Sequence, residues 1–247
     1  MVNAATKLPL KSLINSTTVT ALRLSKLTPL EKKKAQAAMM LLIKKKDGTV
    51  KGSCVYEGSK TRPYFTKEET VSPTASTKGI FISAAIDAHK ERDVMTADIP
   101  NTFIQASLEN LKDGDKKVIM KVTGMLVNLL VKVAPDVYGP FVVFENGRKV
   151  LYLQVLQALY GMLQAALLWY KKFRSDLESI GYEFNPYNPC VANKMIDGKQ
   201  HTIRFHVDDI IANHVSSLVN DKFADWLNSM YGHYGEVKQT RGNFHHY

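Results

Sequence analysis

The spacing of apolar and polar residues changes repeatedly along the chain, and each change marks a new element. Thr28-Pro29-Leu30-Glu31 combines a capping hydroxyl, a proline suited to the first helical position and a glutamate that completes a capping box, so a helix is predicted over 28–45. Asp47-Gly48 then reads as a tight turn into a strand over 49–56. Residues 57–76 are polar and turn-rich, and a second helix is predicted over 77–89. From 94 to 99 the residues alternate, with Met95, Ala97 and Ile99 on one face and Val94, Thr96 and Asp98 on the other. That is a half-buried strand, which Pro100 ends.

A charged loop over 109–117, a strand over 118–122 and a short apolar helix over 124–133 follow. Asn146-Gly147 lies between two apolar runs, 141–145 and 149–154, and is the strongest hairpin signal in the chain. The longest helix is predicted over 155–180, with Gly181 as its stop. Asp197-Gly198 turns a second hairpin whose returning strand, 201–207, leads into Asp208-Asp209 and the apolar Ile210-Ile211-Ala212. A last amphipathic helix covers 216–231. Helices and strands are mixed and hairpins dominate the joins, which predicts an α+β fold with a mainly antiparallel sheet.

Composition narrows the function. The chain has 247 residues, 45% apolar, enough for a buried core in one large or two small domains. A formal charge of +10 favours a polyanionic partner, and nucleic acid fits better than a membrane. The longest apolar candidate, Met125–Val133, is too short to span a bilayer and is broken by Asn128 and Lys132. Two cysteines, Cys54 and Cys190, without CxxC spacing, argue against a disulfide framework or a zinc site and suit an intracellular setting. His233, His245 and His246 read as polar residues near the tail rather than metal ligands. The first 27 residues, acid-free with Lys7, Lys11, Arg23 and Lys26, read as a polar segment preceding a domain over 28–247.

The chemistry is carried by carboxylates. Ile203, Phe205 and Val207 point to one face of the returning strand and Arg204, His206 and Asp208 to the other, so Asp208 and Asp209 stand at a turn between apolar strands. Partly buried, two such carboxylates would share a proton or bind a cation. Magnesium suits this donor set, because it uses one or two carboxylates plus waters and substrate phosphates. Asp98 on a neighbouring strand would complete a two-metal arrangement. An Asp-Asp dipeptide by itself is more often a solvated turn, and spacing does not pair it with Asp98. The expectation is that the two strands are sheet neighbours.

Four segments, in order, carry a resemblance. Glu69-Thr70-Val71-Ser72-Pro73, then Asp98-Ile99-Pro100-Asn101-Thr102-Phe103-Ile104-Gln105, then Ala158-Leu159-Tyr160-Gly161-Met162-Leu163-Gln164-Ala165 with Trp169, and Phe205-His206-Val207-Asp208-Asp209 resemble the motifs of copia-type retrotransposon reverse transcriptases. The resemblance implies a right-hand polymerase, with fingers and a ferredoxin-like palm and with the chain stopping before the thumb. It implies that Asp98, Asp208, Asp209 and the backbone carbonyl of Ile99 hold two magnesium ions, with manganese as the alternative. Phe103, Gln164 and Val207 would contact substrate; taken alone, Phe103 reads as a core phenylalanine and Gln164 as a helix-surface glutamine. RNA template, DNA primer and deoxynucleotide are the implied partners. Integrase and RNase H would be neighbours in a parent polyprotein, in a cytoplasmic virus-like particle with access to the nucleus.

The lysine clusters Lys32-Lys33-Lys34, Lys44-Lys45-Lys46 and Lys171-Lys172 with Arg174 fit a nucleic-acid path, although each alone reads as a solvated helix face. The sequence also departs from the family. Ser53 stands where the family has Arg, Leu163 and Leu167 where it has cations, Ala166 where it has Pro, and His206 where it has Tyr. Lost cationic contacts, each worth roughly 1.5–3 kcal/mol, would weaken nucleotide binding; Lys51 and Lys60 are candidate replacements. His245-His246-Tyr247 resembles the start of the family's primer-gripping hairpin. Three readings follow: an RNA-directed DNA polymerase, a catalytically degenerate nucleic-acid-binding remnant, and another two-metal palm enzyme such as a nucleotide cyclase.

Overall fold

The computed structural model describes residues 18–44, 46, 48, 50–108 and 117–242. The loop over 109–116, the terminal His245-His246-Tyr247, the N-terminal Lys7 and Lys11, and Lys45, Asp47 and Thr49 lie outside the described residues. The chain divides into two compact units, each assembled from two stretches: residues 1–70 with 106–168, and residues 71–105 with 169–247. Positive charge is divided unequally between them. The first unit carries 21 Lys and Arg against 10 acidic residues, the second 12 against 13.

In the first unit, strands β1 (Val19–Leu22), β7 (Arg148–Val155), β5 (Val118–Thr123), β2 (Gln36–Lys44) and β3 (Val50–Tyr56) lie in that order, and β6 (Val143–Glu145) also pairs with β7. All pairings are antiparallel except β2 with β5. Residues before Thr28, expected only to be a polar lead, supply β1, and Val19 is buried. The capping box at Thr28 and Glu31 forms as expected: the Glu31 amide donates to Thr28 Oγ1 at 3.2 Å and Thr28 N donates to Glu31 Oε2 at 2.7 Å. The helix it starts, α1, is only Pro29–Lys34, whereas the sequence predicted 28–45. Residues from Gln36 onward pair with β3 and β5 instead, because cross-strand hydrogen bonding overrides the helix preference of Ala, Met and Leu. Helices α3 (Met125–Val133) and α4 (Pro135–Tyr138) follow β5. The Asn146-Gly147 turn forms with φ of 50° and 73°, the paired positive values of a two-residue hairpin.

The predicted helix over 155–180 is also shortened. Helix α5 is Ala165–Ser179, and residues 156–164 are irregular. Gly161, with φ of 90°, is the reason. A Cβ there would be driven into the Tyr56 carbonyl oxygen, and one on Gly58 into the Gly161 carbonyl oxygen, while the Tyr56 amide donates to the Tyr160 carbonyl at 2.8 Å. The Tyr160-Gly161 segment is therefore a backbone clasp on the end of β3 and not a helical turn.

The second unit has a sheet in the order β12 (Lys238–Arg241), β4 (Asp93–Asp98), β11 (Asp209–His214), β10 (Lys199–His206), β9 (Val191–Ile196) and β8 (Glu183–Phe184). Every pairing in it is antiparallel. With α5 and α6 (Ser217–Tyr231), strands β4, β10, β11 and β12 make a β-α-β-β-α-β unit ordered last, first, third, second, the ferredoxin-like arrangement. Helix α2 (Thr77–His89) has the predicted bounds. The mixed fold with mainly antiparallel sheets agrees with the sequence expectation; the described residues form two such sheets.

A buried polar chain ties α6 to this sheet. Tyr182 Oη donates to His201 Nδ1 at 2.6 Å, His201 Nε2 faces Asn220 Oδ1 at 3.0 Å, and Asn220 Nδ2 donates to the Asp93 carboxylate at 2.7 Å. These partners suit a neutral imidazole protonated on Nε2. Burial pushes the His201 pKa down to about 4.

Gly161→Ala is expected to destabilise the chain by about 3 kcal/mol, from both strain and clash; an unchanged urea midpoint would show that the clasp is absent. His201 remains neutral in the fold while the unfolded chain protonates near pH 6.5, so stability should decline from pH 6.5 down to about 4 and then level off. The loss should reach about 3 kcal/mol and be absent from His201→Gln, as read by denaturant titrations at several pH values.

Candidate active site

Strand β4 has only apolar or uncharged residues between Asp93 and Asp98, and β11 is apolar from Ile210 to Ala212. Met95, Ala97, Ile210 and Ala212 are buried, and this alternation fixes how the two strands pair. In that register Ala97 lies opposite Ile210 and Asp98 opposite Asp209. On the other side of β4, Lys238 of β12 is the partner of Asp98. On the other side of β11, His206 of β10 is the partner of Asp209. Direct cross-strand partners project to one face. His206, Asp209, Asp98 and Lys238 thus form a row across four strands at one end of the sheet, and all four are exposed. Two carboxylates stand in the middle, with an imidazole and an ammonium outside them.

Asp208 lies in the two-residue turn between His206 and Asp209. Val207, the other turn residue, has φ of 56°, while Asp208 does not have a positive φ. A positive φ at only the first loop position is the type II′ pattern, which normally takes glycine there. A β-branched residue in this conformation is strained by roughly 1–3 kcal/mol. The buried Trp169 on α5 holds it: its indole N–H donates to the Val207 carbonyl at 2.6 Å. Trp169 in turn stacks on Phe173, with ring centroids 5.3 Å apart, and Phe173 meets Phe205 of β10 edge-on at 4.9 Å.

Beyond Asp98 the chain is also tied down. The Ile99 carbonyl, expected to reach a metal, accepts the Thr102 hydroxyl at 2.7 Å. Gln105 Nε2 donates to the Tyr231 carbonyl at 3.1 Å, anchoring the 3-10 turn that carries the half-buried Phe103. Gln164 belongs to the other unit, where it is buried in the turn before α5; the helix-surface alternative does not hold. Leu167 is buried there too, and Ser53 lies on β3 opposite Leu41. Of the basic clusters, Lys172 and Arg174 pair with Asp176 and Glu178 one turn on, at 2.9 Å each, while Lys32 shares Glu145 with Lys121 at 2.7 and 2.8 Å. The two lysines hold the Glu145 carboxyl down at about 2.

Facing carboxylates and a third on the adjoining turn are the oxygen donors that a hard divalent cation such as magnesium takes. Among the described residues, no three His, Cys, Asp or Glu side chains are gathered closely enough to hold a metal by themselves. Lys238 and the conformation of Val207 were not singled out in the sequence. The first depends on a strand pairing, and nothing in the local composition marks the second.

No protein-family model matches the chain, and no curated protein sequence matches it. Among solved structures, telomerase from Candida albicans, determined with a TWJ fragment of telomeric RNA, is similar at a TM-score of 0.42 and 11% identity. The match covers 94% of this chain and 46% of that one. No helix among the described residues is long and apolar enough to cross a membrane.

Val207→Gly should remove the turn strain and stabilise the chain by about 1 kcal/mol, after allowing for glycine's greater unfolded entropy. Trp169→Phe should destabilise it by about 1–2 kcal/mol through loss of the indole donor. Both are read from thermal or urea unfolding, and a Val207→Gly variant less stable than the parent would contradict the strained turn.

Proposed function

We propose that the chain is an RNA-directed DNA polymerase domain of the copia-type reverse-transcriptase kind. The observation that carries this reading is the register of β4 on β11, in which Asp98 is the direct partner of Asp209, with Asp208 on the turn beside them. The motifs around these residues occur in family order, and the charge excess of the first unit suits a polyanionic template and primer.

In this reading Asp98, Asp208 and Asp209 hold two divalent ions, magnesium or manganese. Such ions make the attacking hydroxyl more acidic and neutralise charge on the leaving pyrophosphate. The facing carboxylates supply the concentrated negative charge that draws the ions in. Lys238, next in the row, limits the repulsion between them and stands where a phosphate oxygen of the substrate could meet it. The Trp169 bond to Val207 keeps the acidic turn from relaxing. Phe103 contacts the incoming sugar, and Gln164 and Val207 contact substrate. RNA template, DNA primer and deoxynucleotide are the ligands, with integrase and RNase H as companions in a parent polyprotein. The fingers correspond to the first unit and the palm to the second.

The competing reading is a binding remnant that has lost nucleotidyl transfer. It is favoured by Ser53, Leu163 and Leu167, which supply no charge where the resembling enzymes have cations.

Primer extension on an RNA template with magnesium separates the two. Incorporation by the chain, reduced about 1000-fold or more in Asp98→Asn and in Asp209→Asn and unaffected by Asp197→Asn in the neighbouring hairpin, is the expected result. Incorporation that survives loss of the carboxylates refutes the mechanism. Salt-sensitive RNA binding without any incorporation selects the remnant.

A further inference from the structure

One exposed turn of the first unit sets a bare aromatic ring among cations. The 3-10 turn Gly58–Tyr64 follows β3 and ends in Pro63-Tyr64. Its start is fixed by the Gly161 clasp: Gly58 lies against the Gly161 carbonyl, and the Thr61 hydroxyl donates back to the Gly58 carbonyl at 2.6 Å. Its end is closed by the Phe65 amide, which donates to the Arg62 carbonyl at 3.3 Å, and the Pro63 ring fixes that residue's φ. Just before the turn, the Glu57 amide donates to the Ala37 carbonyl at 2.9 Å. Gln36 Nε2 donates to the carbonyl of Lys34, the last residue of α1, at 2.7 Å. The turn and the end of α1 are thus both tied to the start of β2.

Tyr64 is 67% exposed, and Lys34 Nζ stands 5.6 Å from the centre of its ring. Arg62, two residues back, is exposed. Neither Lys34 nor Arg62 makes an ion pair among the described residues, whereas Lys32 and Lys121 are taken by Glu145 and Lys60 by Glu57. From Gly58 to Lys67 there is no acidic residue. Of the two that follow, Glu69 is occupied by the Thr66 amide at 2.7 Å. The turn carries no Leu, Ile, Val or Met, so it offers a flat ring and positive charge without an aliphatic patch.

We infer that Tyr64, Lys34 and Arg62 form a binding site for single-stranded RNA, in which one base stacks on the Tyr64 ring and the flanking phosphates meet the two cations. The chemistry selects this occupant. Every base has a flat face that an aromatic ring can take, and cations beside the ring follow the charged backbone. A duplex keeps its base faces stacked inside and offers the ring nothing to stack on. An anionic membrane would meet the cations, but it holds a surface segment by inserting apolar side chains, and this turn supplies none besides the tyrosine and its proline. The inference rests on the proposed function only for the choice of RNA, as template, over DNA. It also gives the Tyr160-Gly161 clasp a purpose, because that contact fixes where the ring stands.

The test is fluorescence anisotropy of a labelled single-stranded RNA of about 12 nucleotides, titrated with the whole chain in EDTA so that no divalent ion sits at the carboxylates. Tyr64→Ala should weaken binding about tenfold and Tyr64→Phe by less than about twofold, because the ring and not the hydroxyl makes the contact. Lys34→Gln and Arg62→Gln should each weaken it several-fold and lower the salt slope by about 0.7. Lys199→Gln, on a hairpin of the second unit, should change nothing. Circular dichroism and melting of Tyr64→Ala should match the parent, since the side chain already faces solvent. RNA affinity indifferent to Tyr64→Ala, equal losses in Tyr64→Phe and Tyr64→Ala, or an equal loss in Lys199→Gln overturns the assignment. So does a chain that binds phosphatidylserine vesicles through Tyr64 and does not bind RNA. Asp98→Asn should bind RNA as the parent does. Tyr64-dependent binding by a chain that incorporates no nucleotide leaves this site standing and removes the polymerase reading. Incorporation by a chain whose RNA binding ignores Tyr64 does the reverse.

Discussion

Two like-charged side chains are held opposite one another because the apolar residues behind them oppose the one-residue slip that would separate them. Two exposed unit charges about 4 Å apart repel by roughly 1 kcal/mol in water, which sets the scale of the cost of placing Asp98 opposite Asp209. Sliding β4 by one residue along β11 would relieve that repulsion but would turn Met95 and Ala97 from the apolar core to the polar face that carries Arg204 and Asn213. Burial of the strand face outweighs the repulsion, and the carboxylates stay where the hydrophobic alternation puts them. Lys238 and His206, at the ends of the same row, place donors beside the acids without separating them.

The turn that completes the group is held with similar firmness. Val207 occupies a conformation that suits glycine, and it stays there because the Trp169 indole, itself packed among Phe173 and Tyr231, captures its carbonyl. The Tyr231 hydroxyl donates to Asp176, which joins α6 to α5 beneath the same strands. Local strain is thus balanced by aromatic packing several residues away. That is how a site keeps its geometry when its own residues repel.

The two units divide the surface by chemistry. The first concentrates positive charge, and part of it is neutralised locally, as at Glu145 between Lys32 and Lys121. The second is close to neutral, buries Asp87 with Arg92 and Arg204, and turns the apolar side of α2 outward. A buried ion cluster contributes little net stability compared with apolar packing. Its use here is to fix which side of α2 faces the sheet, and that leaves the apolar side turned outward.

Where the information is local, the sequence alone determined the result. Asn146-Gly147 and Asp197-Gly198 adopt the positive φ values their hairpins require, Ser76 caps a helix with the predicted bounds, and the alternation around Asp98 is a strand. The acidic residues and the charge excess were equally legible. Tertiary structure decided the rest. Residues 36–44 are a strand because β3 and β5 lie beside them, although Ala, Met and Leu would as readily form a helix. Gly161 breaks the expected long helix because the Tyr56 backbone occupies the space beside it. The meeting of Asp98 with Asp209, the appearance of Lys238 in their row and the inversion of α2 all depend on segments far apart in the chain. Periodicity says which face of each element seeks burial, but only packing decides which two faces meet.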